Sequence, residues 1–158
     1  MDITFKTPEG RFNYRVCAII LHEGRILAMH DEVSPYYYLP GGRVKLSETA
    51  EEAVLREVRE ELEITPRIIR PLWFCQSFFT EDVTGENFHE LCVYFLVDVS
   101  GTGLIERGER FTLFERHHTH DFEWLEISGL KDKYFYPGFL KEKLHDLPET
   151  PQLITERE

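Results

Sequence analysis

The sequence is short of cysteine, of basic charge and of long apolar runs. Its three cysteines, Cys17, Cys75 and Cys92, stand far apart and form no CxxC pair. That spacing argues against a disulfide framework or a cysteine-rich zinc site and leaves three buried thiols as the expectation. Eighteen Lys and Arg face twenty-nine Asp and Glu, a formal net charge of −11. So acidic a chain is not suited to non-specific nucleic acid or to an anionic membrane, although a bound metal can invert the local field toward an anionic nucleotide. The longest apolar run, Leu91 to Val97, has seven residues, whereas a bilayer-spanning helix takes ~20. The opening MDITFKTPEG has neither a basic n-region nor an apolar h-region, so no signal peptide is expected and the cytoplasm is the default location. Repeats, low-complexity runs and linkers are missing as well.

What the chain does hold is enough apolar material for a core. Hydrophobic residues make up 42% and aromatics 13% of 158 residues, which fits one domain over 1–158 burying roughly 70% of its unfolded surface. The most informative stretch is Gly41 to Ile64, GGRVKLSETAEEAVLREVREELEI. Thr49 with Glu52 three residues later is a capping box, and Ala53, Val54, Val58 and Leu62 form one apolar stripe. Pro66 ends the helical region. On that helix Glu57, Glu60 and Glu61 fall at i, i+3 and i+4 and share a face, with Arg56 at its edge within reach of Glu60. Like charges at this spacing destabilise a helix by a few tenths of a kcal/mol per pair. Neutralisation by a hard divalent cation, which takes oxygen ligands, is one reading. The other is a solvated helix laced by Glu52–Arg56, Arg56–Glu60 and Arg59–Glu63 pairs. The charges alone leave both open.

In chain order, a short strand is expected at Ile3–Lys6 and a turn at Pro8-Glu9-Gly10, before a buried strand at Tyr14–His22. Glu23-Gly24 then turns the chain into Arg25–His30 as a hairpin. In the triplet that follows, alternation points Tyr36 and Tyr38 one way and Tyr37 the other. Two long strands, Arg67–Thr80 and Phe88–Val99, flank the loop Asp82 to Asn87, and their aromatics read as core. A strand carrying Glu123-Trp124-Leu125 and a helix over Phe139–Leu147 come next, with the tail 148–158 expected to be loose. His117, His118 and His120 lack a partner motif such as HExxH, so they read as an exposed loop cluster, not a zinc site.

From Gly42 the segment runs G, five residues, Glu48, seven residues, then Arg56-Glu57-Val58-Arg59-Glu60-Glu61-Leu62-Glu63-Ile64. This resembles the Nudix box, G-x5-E-x7-R-E-U-x-E-E-x-G-U with U aliphatic, and departs from it only at Glu63, where the family has Gly. Leu39-Pro40-Gly41 also looks like the family's usual lead-in. The resemblance implies an α/β fold in which a mixed β-sheet lies between α-helices, an α/β/α sandwich. It also implies metal-dependent hydrolysis of a nucleoside diphosphate linked to another group, by water attack on phosphorus. The expected metal is Mg2+, with Mn2+ as a substitute. Its ligands would be Glu57, Glu60, Glu61 and the Gly41 carbonyl, with Arg56 orienting Glu57 or Glu60 and Glu48 in outer or water-mediated contact. The proton acceptor would be Glu57 or a more distant acid, Glu115, Asp121 or Glu123. Arg43, Tyr36 and Tyr38 are the substrate-binding candidates. Phe79 to Asp82 carry none of the family's marks for ADP-ribose, dinucleoside polyphosphate or NADH substrates, so a nucleoside triphosphate or a nucleotide sugar is open. The expected partner is that small nucleotide, with no nucleic acid and no membrane, for a monomer or a homodimer. The alternative is a catalytically silent Nudix domain that senses a nucleotide or binds a protein.

Overall fold

The computed structural model describes residues 1–158. Its strands and helices run β1 (Thr4–Thr7), β2 (Gly10–Ile19), β3 (Leu21–His22), β4 (Arg25–His30), β5 (Gly41–Arg43), α1 (Ala50–Leu62), β6 (Arg67–Thr80), β7 (Asn87–Asp98), β8 (Arg110–Glu115), β9 (His118–Glu126), α2 (Leu140–Lys143) and β10 (Gln152–Arg157). Six strands form a mixed sheet in the order β1-β2-β7-β6-β10, with β5 paired to β2 beside β1. Within it β2 runs parallel to β7 and β10 parallel to β6. The remaining four strands form an antiparallel sheet, β3-β4-β9-β8.

Strand β2 shows why the mixed sheet carries helices on both faces. Both faces of its second half are apolar, as expected of a strand covered on two sides. Val16 and Ala18, with Ile20 just past the strand's end, join the core built on Ala53, Val54, Val58 and Leu62 of α1. Cys17 and Ile19 join a second core with Trp73, Leu140 and Leu144, the last two from the α2 segment. The sheet therefore lies between α1 and α2, as the α/β/α reading requires. The antiparallel sheet feeds the same two cores, Leu27, Met29 and Phe122 on one side and Ile26, Ala28 and Leu125 on the other. All three cysteines are free and buried. No helix is long and apolar enough to cross a membrane.

The hairpin at Glu23-Gly24 forms as expected, both residues taking positive φ, 49° and 76°, as a two-residue hairpin turn requires. Strand β6 covers the residues expected of it, and β7 is displaced by one.

Three readings need correction. The tail is not loose: Gln152–Arg157 pairs in parallel with Trp73–Phe78. Its composition is polar, but a backbone ladder does not depend on apolar side chains. Ile154 also packs on the second core, and the Arg157 guanidinium sits 4.3 Å above the Phe78 ring. The last helix is only Leu140–Lys143, because its end tightens into i→i−3 bonds at His145 and Asp146. Strand β8 was not anticipated; its inward Phe111 and Leu113 are outnumbered by polar neighbours.

Candidate active site

Helix α1 starts and stops on identifiable groups. The Thr49 hydroxyl accepts the Glu52 N–H at 3.0 Å, which satisfies one orphan donor of the first turn. At the other end Glu63 takes the left-handed conformation, φ 57° and ψ 41°, and its N–H returns to the Arg59 carbonyl at 2.9 Å. Arg107 then donates to the Leu62 carbonyl at 2.7 Å. The Arg59–Glu63 and Glu52–Arg56 pairs offered by helical spacing do not form; the charges on this helix are organised by other parts of the chain.

Arg56 is the centre of that organisation. Its Nε and Nη2 grip Glu48 at 2.7 and 2.9 Å, and Nη2 also donates to the Arg43 carbonyl at 3.0 Å. Nη1 reaches Glu57 at 2.8 Å and Glu60 at 3.4 Å. The face of Glu57 and Glu60 is thus partly compensated, and Arg56 is more central than helical spacing alone places it. Glu48 also accepts the Lys45 N–H. The Arg56 guanidinium holds its carboxyl below the usual range.

Glu61 sits differently. It is 8% exposed and accepts the Gly41 N–H at 3.1 Å. Burial pushes its carboxyl well above the usual range, and the neighbouring Glu57, within hydrogen-bond reach, and Glu115 push it further. The glycine pair makes this approach possible. A Cβ at Gly42 would fall 2.4 Å from the Glu57 carboxylate, and one at Gly41 would fall 2.2 Å from the Val16 carbonyl oxygen. Gly41 also lies between hydrogen-bonded pairs of the β2–β5 ladder, so its N–H and C=O turn away from β2.

No three His, Cys, Asp or Glu side chains are grouped closely enough to hold a metal ion by themselves. The donor set nonetheless suits Mg2+. Two carboxylates in contact, one of them buried, are relieved only by a proton or a cation between them. Mg2+ is typically bound by one or two carboxylates together with waters and substrate phosphates, not by an all-protein cage.

The remaining candidates are distributed unevenly. Asp121 accepts the Thr112 hydroxyl at 2.7 Å, and Glu123 accepts the Tyr37 hydroxyl at 3.1 Å. Of the three distant acids, Glu115 is the one whose charge registers at Glu61. Tyr36 and Tyr38 turn to the same side, ring centroids 6.1 Å apart, whereas Tyr37 packs on His30. The Tyr38 hydroxyl is committed to Asp31 at 2.7 Å, while Tyr36 packs among Tyr134 and Tyr136. Arg43 keeps 37% of its side chain exposed and lies 3.9 Å from Asp2. His117 and His118 are exposed at the β8–β9 hairpin, and His120 lies in β9. Sequence reasoning missed Arg15 and the buried Asn13–Glu90 pair, joined at 2.8 Å. Their signal is there: Asn13 and Arg15 are two polar residues at period two, leading into an otherwise apolar strand.

The NUDIX domain family model matches residues 11–144. An ADP-ribose pyrophosphatase of Methanocaldococcus jannaschii is 34% identical over 97 residues, which is 60% of this chain and 54% of that protein; the match spans about half the length of this curated relative. A MutT NUDIX hydrolase from Burkholderia pseudomallei superposes with TM-score 0.52 at 22% identity, covering 74% of this chain and 84% of the other. An ADP-ribose pyrophosphatase from Streptococcus suis does so with TM-score 0.55 at 14% identity, covering 90% and 98%. At these identities the solved structures speak for the fold alone.

Proposed function

Because this chain belongs to the Nudix family, we propose that it hydrolyses the pyrophosphate bond of a nucleoside diphosphate linked to another group. The supporting observation is the contact of Glu57 and Glu61 beside Gly41-Gly42, with Arg56 fanned across Glu48, Glu57 and Glu60. A catalytically silent domain of this family usually loses box glutamates, and this chain keeps Glu57, Glu60 and Glu61.

Each residue then has a task. Glu57, Glu60, Glu61 and the Gly41 carbonyl are the groups that would hold Mg2+, or Mn2+ in its place; Glu57 and Glu61 already stand in contact, and waters and substrate phosphates would supply further ligands. When bound, the metal supplies charge screening of the phosphates and a lowered pKa for attacking water. Arg56 fixes the Glu57 and Glu60 carboxylates by charge-assisted hydrogen bonds and is itself fixed by Glu48. The Gly41 N–H aims Glu61. The proton of the attacking water would pass to Glu57 or to one of the more distant acids Glu115, Asp121 and Glu123, of which Glu115 is the one whose charge reaches Glu61.

ADP-ribose is the first substrate to test, on the strength of the Methanocaldococcus jannaschii relative. Nucleotide sugars and nucleoside triphosphates follow, because the segment Phe79 to Asp82 lacks the proline that marks many ADP-ribose enzymes. The experiment is a panel of these compounds with Mg2+, read by release of phosphate, pyrophosphate or nucleoside monophosphate. Turnover that chelator and Glu60→Gln abolish is the expected result. No turnover of any member, or turnover undiminished in excess chelator, overturns the proposal.

A further inference from the structure

The side of the mixed sheet that carries α1 is covered over only part of its area. Val16, Val93 and Phe95 lie in the first core with α1, and the same face continues past them toward the other strand ends. One row there crosses five strands: Phe5 of β1 opposes Phe12 of β2, then come His89 of β7, Phe78 of β6 and Arg157 of β10. Opposed residues share a face. The rings succeed one another at 5.2, 5.5 and 4.4 Å, and the Arg157 guanidinium closes the row 4.3 Å above Phe78. The next row on this face is Tyr14, Leu91, Gln76 and Thr155, and Phe74 and Leu153 stand in a third. Phe5, Phe74 and Leu153 are 56%, 37% and 66% exposed. Apolar surface is thus left in water at both edges of the sheet and between them.

The composition of this face sets it apart. Twenty-nine Asp and Glu are spread over the chain, and none stands in the three rows. A carboxylate in a closed contact would have to give up its water at a cost of several kcal/mol, so a face without one can close. Two copies of a chain with net charge −11 repel each other. On this face they can meet without setting carboxylate against carboxylate. The first row also ends in a bare ring, Phe5, on one side and a guanidinium, Arg157, on the other, which suits a copy turned end for end.

Strands stand ~4.8 Å apart, and same-face residues follow one another at ~6.8 Å, so the three rows cover a footprint of roughly 350–400 Å² per copy. Contact over such a footprint falls at the low end of specific interfaces, below about 1,200 Å² in total, where association is weak and transient. We propose that two copies of the chain pack sheet against sheet on this face, as a weak two-fold dimer. Packing of this kind holds the sheets ~10 Å apart with strands within about 30° of each other. None of the residues assigned to hydrolysis stands in these rows, so the inference is independent of the hydrolase reading.

The test is sedimentation velocity of the full chain from micromolar to millimolar concentration, in low and in high salt. The weight-average mass should climb toward that of two chains, and high salt should move the rise to lower concentration by screening the repulsion. Phe5→Glu and Leu153→Glu, at opposite edges of the face, should each weaken association at least tenfold by burying a charge. Phe114→Glu, which alters an exposed ring on β8 outside the face, should leave it unchanged. Circular dichroism checks the fold of each variant, and both edge positions are exposed enough to tolerate the change. A wild type that stays monomeric to millimolar concentration overturns the dimer and leaves the face to a different macromolecule. Association that high salt weakens overturns the charge argument. Association unmoved by Phe5→Glu and Leu153→Glu, or weakened as much by Phe114→Glu, overturns the face.

Discussion

Replacing Glu63 by glycine should make the protein more stable. Glu63 is the residue that departs from the family box, and it holds the left-handed conformation, φ 57° and ψ 41°. For a residue with a Cβ that conformation costs about 1–2 kcal/mol, and glycine avoids the clash. Glycine in turn loses more freedom on folding, about 0.5–1 kcal/mol. The side chain itself contributes little: Glu63 is exposed and forms no ion pair, and its backbone N–H bond to Arg59 survives the change. The net gain is therefore about 0.5–1 kcal/mol. With an unfolding entropy of roughly 2.1 cal/mol/K per residue, 1 kcal/mol moves the melting temperature of a chain this size by about 3 °C. Thermal melts and urea unfolding in chelator, followed by circular dichroism, would show a rise of about 1.5–3 °C with an unchanged m-value. Turnover should stay within twofold, because Glu63 lies beyond the helix end and touches none of Glu57, Glu60 or Glu61. A fall in melting temperature would refute the strain argument, and a large loss of turnover would place Glu63 in the site.

Four further outcomes follow from the same geometry. Mg2+ at millimolar concentration should raise the melting temperature of the wild type and not of Glu60→Gln, as expected if it binds only the folded chain; equal shifts would show that Glu60 is no ligand. Gly42→Ala should leave stability within about 1 kcal/mol while lowering kcat more than tenfold, since the clash falls on the movable end of Glu57; unchanged turnover would separate Glu57 from the reaction. Arg107→Ala should cost about 1.5 kcal/mol by stripping the cation from the helix terminus at Leu62, and a loss under 0.5 kcal/mol in denaturant would contradict it. For Asp31, burial pushes the carboxyl up, but the Tyr38 hydroxyl and the Ser34 and Val33 amides outweigh it and hold it below the usual range. Its stabilisation is then present above the unfolded pKa near 3.9 and is lost as pH falls through the lower folded value. The gap in melting temperature between wild type and Asp31→Asn should therefore shrink as pH falls below the unfolded value near 3.9; a constant gap would exclude the linkage.

Helix α1 was legible from its ends inward, because Thr49, Glu52 and Pro66 act locally and the apolar stripe has a single period. Strand β6 was legible for a similar reason, its length of branched and aromatic residues. The organisation of charge was not. Helical spacing considers only neighbours on the same helix, whereas the partners of Arg56 include Glu48 and the Arg43 carbonyl from the preceding loop and strand. Arg107 reaches Leu62 across 45 residues of chain, with nothing local to announce it. The pairing of β10 was hidden because its stabilisation lies in a backbone ladder to β6, which side-chain composition does not report. Arg15 was passed over because an apolar run reads as core, although a single arginine inside such a run has to find an anion or keep an edge in water.

Both parallel ladders bear on how the chain reaches this state. Arg11 pairs with Phe88 and Gln152 with Trp73, so each ladder joins segments nearly eighty residues apart. Closing such distances loses chain entropy before any contact repays it, and folding slows with the mean separation of partners. Helix α1 and the β6–β7 hairpin form from near neighbours and need not wait. The apolar half of β2 does wait, holding Val16 to Ile19 without its parallel partner until β7 is in place. Refolding should accordingly take roughly milliseconds to seconds, and its yield should fall with protein concentration, because for that interval β2 is a sticky strand that another copy can take up.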